Sequence, residues 1–314
     1  MKVIFLGTPD FAVNALEAII NSKHKVVGVV TQPDKPVGRS GQLQFSPVKK
    51  CAISHEIPVF QYEKISREGL IDLKKLNADV MVTCAYGQML SKEILEICPK
   101  GVFNIHASLL PKYRGASPIQ HAILNGDKET GVSIMKTEVS MDSGDLVLVN
   151  KVDILPDETA GELFDRLAYL GAKSIVEALD LIEQNKEVYT PQNHDLATFV
   201  KQLKKSDGEI DFTKSCFELD CFVRGMNPWP CAFTFLNDKI LKIFSVKKAD
   251  ISEDFNEFAC GRVITADSKK GLIIKCGDGG IEICQLQLEG SKRMDAKSFL
   301  LGRKINIGDK LGKC

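Results

Sequence analysis

Short apolar runs alternate with amphipathic stretches through the first half of the chain. Val3 to Leu6 is apolar, Gly7-Thr8-Pro9-Asp10 makes a turn, and Phe11, Ala15, Leu16, Ala18 and Ile19 recur at helical spacing before a second apolar run from Val26 to Thr31. A strand that is apolar without alternation is buried on both faces, the setting of a sheet covered by helices. The rhythm continues through Val59-Phe60, a helix near Glu68 to Leu76, a strand from Asp79 to Ala85, a helix near Lys92 to Ile97 and a strand from Val102 to His106. The expected fold is a doubly wound α/β domain. Leu163, Phe164, Leu167, Leu170, Ile175, Val176, Leu179 and Ile182 predict a long helix over Thr159 to Gln184 that closes this domain.

The pattern then changes. Between Asn185 and Ser206 the chain turns polar around Pro191 and reads as a linker. Beyond Asp207 come a short helix from Cys216 to Met226 and the segment Asn227-Pro228-Trp229-Pro230. Alternating runs follow at Ala232 to Leu236, Ile240 to Val246, Gly261 to Thr265, Gly271 to Cys276 and Gly280 to Leu288. Short strands with Gly and Asp turns suggest a small barrel. The expected division is residues 1–188, a linker over 189–206 and a second domain over 207–314.

Composition narrows the function classes. Lysine plus arginine (41) balance aspartate plus glutamate (41), so contact with a nucleic acid must rely on a local patch. Lys269, Lys270, Lys292 and Arg293 lie in the richest stretch. The ten cysteines form no CxxC pair, the closest being Cys216 and Cys221, and the five histidines form no metal-binding spacing. Neither a disulfide framework nor a metal is expected. The chain opens directly into a strand and has no apolar stretch of membrane-spanning length, so a cytoplasmic protein without membrane contact is expected.

Two loops carry candidate chemistry. Gly7-Thr8-Pro9-Asp10-Phe11-Ala12 lacks the later glycines of a dinucleotide fingerprint, and Pro9 removes an N–H that a pyrophosphate needs, which argues against a nicotinamide-dependent oxidoreductase. The polar insertion from Gln32 to Pro47 is long for a compact domain and reads as a surface flap with Lys35 and Arg39 at its tip. The most informative stretch runs from Gly101 to Ala116. In a strand from Val102 to His106, Asn104 and His106 share one face while Phe103 and Ile105 pack on the other. An amide N–H₂ and an imidazole side by side suit the polarisation of a carbonyl on which negative charge develops. Ser140 to Asp145 supplies two carboxylates, Asp142 and Asp145, and one of them near His106 would fix its tautomer and favour imidazolium.

With these residues in place the chain resembles the methionyl-tRNA formyltransferase family of folate-dependent formyltransferases. The likeness spans essentially the whole chain and rests on Phe5 to Ala12, Thr31 to Asp34, Ser46 to Lys49, Ala85 to Gly87, Asn104 to Pro111, Tyr113 to Gln120 and Asn227 to Pro230. It implies a Rossmann-like domain joined to an OB-like β-barrel, and transfer of formyl from 10-formyltetrahydrofolate to the amino group of initiator methionyl-tRNA, without a metal. It implies Asn104, His106 and Asp142 as the catalytic trio, favouring Asp142 over Asp145. Ser108, Leu109, Leu110 and Pro111 would line the folate site, with Tyr86, Gly87, Gln88, Met89 and Leu90 beside the pterin. Lys35, Arg39, Lys269, Lys270, Lys292 and Arg293 become candidate tRNA contacts, and a monomer is expected. One departure stands out: Gly38-Arg39 is followed here by Ser40-Gly41-Gln42, where relatives are often basic. Two alternatives stay open, a formyltransferase acting on another amine, above all a sugar amine, and a non-catalytic RNA-binding protein.

Overall fold

A computed structural model of the chain describes residues 1–37, 41–251 and 257–312. Contacts divide it into two compact units. The first comprises Met1–Pro118, Glu129–Asp153 and Phe164–Val200, and the second Ile119–Lys128, Ile154–Leu163 and Lys201–Cys314.

In the first unit the strands are β1 (Lys2–Gly7), β2 (Lys25–Thr31), β3 (Lys35–Val37), β4 (Gln42–Gln44), β5 (Val59–Gln61), β6 (Val80–Cys84), β7 (Val102–His106), β8 (Arg114–Gly115), β9 (Glu129–Lys136), β10 (Leu146–Asp153) and β11 (Phe199–Val200). Seven of them form one sheet in the order β10-β9-β7-β6-β1-β2-β5. Neighbours from β7 through β6, β1 and β2 to β5 run parallel, as the apolar runs predict. The sheet is nevertheless mixed: β9 lies antiparallel on β7, and β10 antiparallel on β9. The helices are α1 (Asp10–Ile20), α2 (Pro47–Ser54), α3 (Ile65–Glu68), α4 (Leu70–Lys75), α5 (Lys92–Leu95), α6 (Pro118–Leu124), of which only Pro118 falls in this unit, and the long α7 (Ala160–Glu183), whose first residues fall in the second unit. The single helix expected near Glu68 to Leu76 is two short ones that meet at Gly69.

Burial explains the placement of the site. Val102, Phe103 and Ile105 of β7 are nearly or fully buried. Gly171 lets α7 descend onto this face, since a Cβ there would stand 2.9 Å from Ile105 Cγ2. Enclosing Phe103 completely is worth about 2–3 kcal/mol relative to leaving it exposed, which holds β7 and the side chains on its opposite face in register. The polar insertion opens as the β3–β4 hairpin, pairing Lys35 with Gln44. Its two ends are tied together. Lys49 Nζ donates to Asp34 Oδ2 (2.5 Å) and Gln61 Oε1 (2.8 Å), and Gln61 Nε2 donates to Gln32 O (2.9 Å). Ser46 caps α2 by accepting from Lys49 N, with Pro47 in the first helical position that suits it.

The second unit holds α8 (Cys216–Gly225), β12 (Ala232–Leu236), β13 (Lys239–Ala249), β14 (Val263–Asp267), β15 (Gly271–Cys276), β16 (Gly279–Leu288), β17 (Met294–Asp295) and α9 (Ala296–Gly302). Antiparallel pairing follows the path β12-β13-β16-β15-β14, with β17 added to β16. The segment after α9 links the ends of this path: Leu311 N donates to Gly261 O (2.8 Å) beside β14, and Gly312 N to Phe235 O (2.9 Å) on β12. The result is an OB-like barrel around Leu241, Ile243, Ile274, Ile283 and Leu286, with Leu219 and Val223 of α8 in the same core. Cys216, whose nearest thiol in sequence is Cys221, meets Cys276 instead (Sγ to Sγ 3.1 Å), and burial pushes the Cys216 thiol well above its ordinary range. Among the described residues no helix is long and apolar enough to cross a membrane.

Candidate active site

The C-terminal end of β7 gathers the expected polar residues. Asn104 and His106, two positions apart, leave the strand on the face opposite Phe103 and Ile105. The sheet pairs Asn104 with Thr83 of β6, and the Thr83 hydroxyl donates to Asn104 Oδ1 at 2.8 Å. That bond fixes which way the amide faces. Its oxygen is engaged, and Nδ2, with no partner among the described residues, is the end left to donate.

His106 is 6 % exposed, and its Nε2 lies 2.9 Å from Tyr113 O. A carbonyl only accepts, so Nε2 carries hydrogen and Nδ1 is the nitrogen that gains or loses a proton. Nδ1 stands 3.7 Å from Asp142 Oδ2. The same Oδ2 accepts from Gly115 N at 2.7 Å, which leaves the carboxylate pinned beside the ring. The Asp142 backbone has φ 49°, a left-handed conformation that costs a non-glycine residue energy. Gly144 permits the turn to press on the end of β9, because a Cβ there would come within 1.8 Å of Lys136 O. Among the described residues no ion pair joins Asp145 to His106. Burial, followed by the carboxylates of Glu187 and Asp145, holds the Tyr189 phenol above its ordinary value.

The expected folate residues lie in two loops of this unit. After β6, the Tyr86 carbonyl accepts from Thr8 Oγ1 (3.1 Å) and Gln32 Nε2 (3.0 Å), and Gln88 bridges Tyr62 O (3.0 Å) and Ile65 N (2.9 Å). Gly87 has φ 89°, Leu90 is buried and Met89 is exposed. After β7, Ser108 is fully buried and its hydroxyl donates to Lys112 O at 2.6 Å, so it shapes the turn from within. Ser133 Oγ sits between Ser108 O (2.7 Å) and Leu110 N (3.2 Å), placing Leu109, Leu110 and Pro111 in one bend.

The basic candidates are spread more widely. Lys35 is exposed at the start of β3, and Arg39 lies outside the described residues. Lys269 and Lys270 form the turn between β14 and β15, their N–H groups donating to Asp267 Oδ1 at 2.7 and 2.9 Å. Lys292 is exposed. Arg293 donates through Nε to Gln285 Oε1 (3.0 Å) and covers the Phe244 ring at 4.2 Å.

Three polar residues at the site went unread in the sequence. Thr83 sits inside an apolar strand, Arg114 inside a motif, and Gln192 inside the stretch expected to be a linker. Arg114 and Gln192 are 4 % and 6 % exposed. Arg114 donates to Gln192 Oε1 through Nε (3.2 Å) and Nη2 (2.7 Å), and Nη2 also lies 2.9 Å from His194 Nδ1.

Residues 1–179 match the formyl transferase family and residues 202–304 match the formyl transferase C-terminal domain. The methionyl-tRNA formyltransferase of Agathobacter rectalis is 48% identical over 309 residues, 98% of each chain, and that of Lachnospira eligens 47% identical over 316 residues, 100% of each. Among solved structures, an N-formyltransferase from Helicobacter canadensis in complex with folinic acid and dTDP-3-aminofucose superposes with a TM-score of 0.68. At 21% identity, covering 90% of this chain and 98% of that one, it shares the fold. Matched by both domain models and by relatives over its full length, the chain belongs to the formyl transferase family.

Proposed function

We propose that this chain transfers the formyl group of 10-formyltetrahydrofolate to the α-amino group of initiator methionyl-tRNA, acting as a cytoplasmic monomer without a metal. The observation that carries the choice of acceptor is the 48% identity to a methionyl-tRNA formyltransferase over 98% of both chains, second unit included. The donor set fits a formyl donor on chemical grounds: an amide nitrogen without another partner among the described residues and an imidazole beside a carboxylate.

In this reading the folate supplies the formyl carbon, and the chain polarises its oxygen and manages one proton. As the neutral amine attacks, Asn104 Nδ2 donates to the oxygen that gains charge. His106, with Nε2 held by Tyr113 O, carries the mobile proton on Nδ1. Asp142, 3.7 Å from Nδ1, stabilises the imidazolium and helps take up the amine proton, directly or through one water; collapse of the tetrahedral intermediate then breaks the bond from the formyl carbon to N10 of the folate, which takes up one proton and leaves as tetrahydrofolate. Removing one donor to a developing oxyanion costs about 3 kcal/mol, on the order of a hundredfold in rate. No covalent intermediate with the protein is required.

Ser108 to Pro111 and Tyr86 to Leu90 are assigned to the folate, and Lys35, Arg39, Lys269, Lys270, Lys292 and Arg293 to the tRNA. The expected division into 1–188, 189–206 and 207–314 is read as catalytic domain, connection and tRNA-binding domain, with the part of the connection up to Val200 packed in the first unit. The test offers purified protein 10-formyltetrahydrofolate with charged initiator tRNA, a nucleotide-sugar amine or glycinamide ribonucleotide. Rapid formylation of the charged tRNA alone is expected. Preferential formylation of either small amine, or of none, contradicts the proposal.

A further inference from the structure

The Asp142 turn is held by one side chain from far along the sequence. Gln192 Nε2 donates to Asp142 O at 3.0 Å and to Gly144 O at 2.7 Å, while its Oε1 accepts both bonds from Arg114. An amide group offers two donors and two acceptor sites, and here all four are used. The orientation cannot reverse. A guanidinium only donates and a carbonyl only accepts, so turning the amide over would set like against like at every contact.

The segment carrying Arg114 completes the frame. Tyr113 O takes the hydrogen of His106 Nε2, Arg114 grips Gln192, and Gly115 N donates to Asp142 Oδ2, so three consecutive residues touch three different partners. This segment is fixed in turn by β11. Arg114 N donates to Thr198 O (2.8 Å), Tyr113 N to Thr198 Oγ1 (2.8 Å), and Ala116 N to Val200 O (3.1 Å). His106 and Asp142 are therefore referred to one common frame, and Gln192 is the member that reaches the left-handed backbone of Asp142.

We propose that Gln192 is a positioning residue for formyl transfer: it sets the distance between the Asp142 carboxylate and His106, with Arg114 locking the direction its amide faces. The inference rests on the catalytic assignment of Asp142 made above. Gln192 acts through Asp142 and touches no reacting atom, so its removal costs nothing further once the carboxylate is gone.

The experiment is a double-mutant cycle on the full-length protein, with kcat and KM measured for both substrates, alongside thermal melting and equilibrium folate binding. Gln192→Met keeps length and loses every hydrogen bond. Its kcat is expected to fall between tenfold and a hundredfold, the size of effect that follows misplacement of a catalytic group by about 1 Å, with KM values changed by less than about threefold. Gln192→Glu keeps a partner for Arg114 but turns an acceptor toward the two carbonyls. It should lose kcat to the same extent while melting closer to wild type, which a purely structural role would not produce. If the Met variant does not fold, the Glu variant takes its place in the cycle. In the Asp142→Asn background, either substitution should lower kcat by less than about twofold more. Wild-type kcat in the Gln192 variants, or losses that multiply in the double variant, overturns the inference. Wild-type kcat in Asp142→Asn alone instead sinks the catalytic assignment beneath it.

Discussion

At the end of β7, residues 83, 104, 106, 113–115, 142 and 192 come from five separated stretches of chain and are joined by buried and half-buried hydrogen bonds. The basic residues of the second unit are built differently. Lys269 and Lys270 donate through their backbone to the Asp267 of their own turn, and Arg293 lies across Gln285 and Phe244 of the neighbouring strands. The first arrangement holds directions and distances, which bond making requires. The second presents charge at a surface, which suffices to attract a phosphate backbone whose contribution scales with the number of contacts and falls with salt. Substitutions in the two regions should therefore fail in different observables.

The largest effect belongs to Asn104→Ala. Turnover with both substrates saturating should fall on the order of a hundredfold or more, with folate binding within a few-fold of wild type. Thr83→Val comes next: it keeps shape but releases Asn104 Oδ1, so the amide is free to turn. About tenfold lower kcat is expected, together with about 1 kcal/mol of lost stability, read by steady-state kinetics and urea denaturation. Replacing Lys269 with Lys270, or Lys292 with Arg293, by alanine should leave the rate at saturating tRNA unchanged. The slope of log affinity against log salt should drop by about one unit per lost phosphate contact. An unchanged slope would mean that these residues form a solvated face.

The smallest effect concerns the base of the polar insertion. Lys49 first, then Gln61, holds the Asp34 carboxyl below its ordinary value. A carboxylate whose folded value is depressed contributes stability above its unfolded value, near 3.9, and loses it as pH falls through the folded value. Thermal melting from neutral to strongly acidic pH should thus show a shallower decline for Asp34→Asn than for wild type. Parallel declines would remove Asp34 from the account.

How much of this was legible in the sequence depends on the range of each interaction. The strand from Val102 to His106 and the shared face of Asn104 and His106 follow from a period of two, a local property. The strands Ala232–Leu236 and Gly271–Cys276 fall where the alternating runs predict them. The antiparallel strands β9 and β10 left no comparable mark: β9 is buried nearly throughout, and β10 is an edge with no fully buried residue. Asp142 was singled out from Asp145 by family resemblance, and its place beside His106 depends on a turn whose geometry Gly144 and the distant Gln192 impose. Gln192 itself was illegible because its four hydrogen bonds join it to residues 142, 144 and 114, and a polar stretch without periodicity carries no trace of such partners.

The account stands most directly on His106. The decisive measurement is the single-turnover rate of formyl transfer from 10-formyltetrahydrofolate to methionyl-tRNA by His106→Ala, at saturating concentrations of both, with the salt dependence of tRNA affinity taken on the same protein. The rate is expected to fall on the order of a hundredfold or more while the salt slope keeps its wild-type value. A rate near wild type would contradict the assignment of the chemistry to the end of β7.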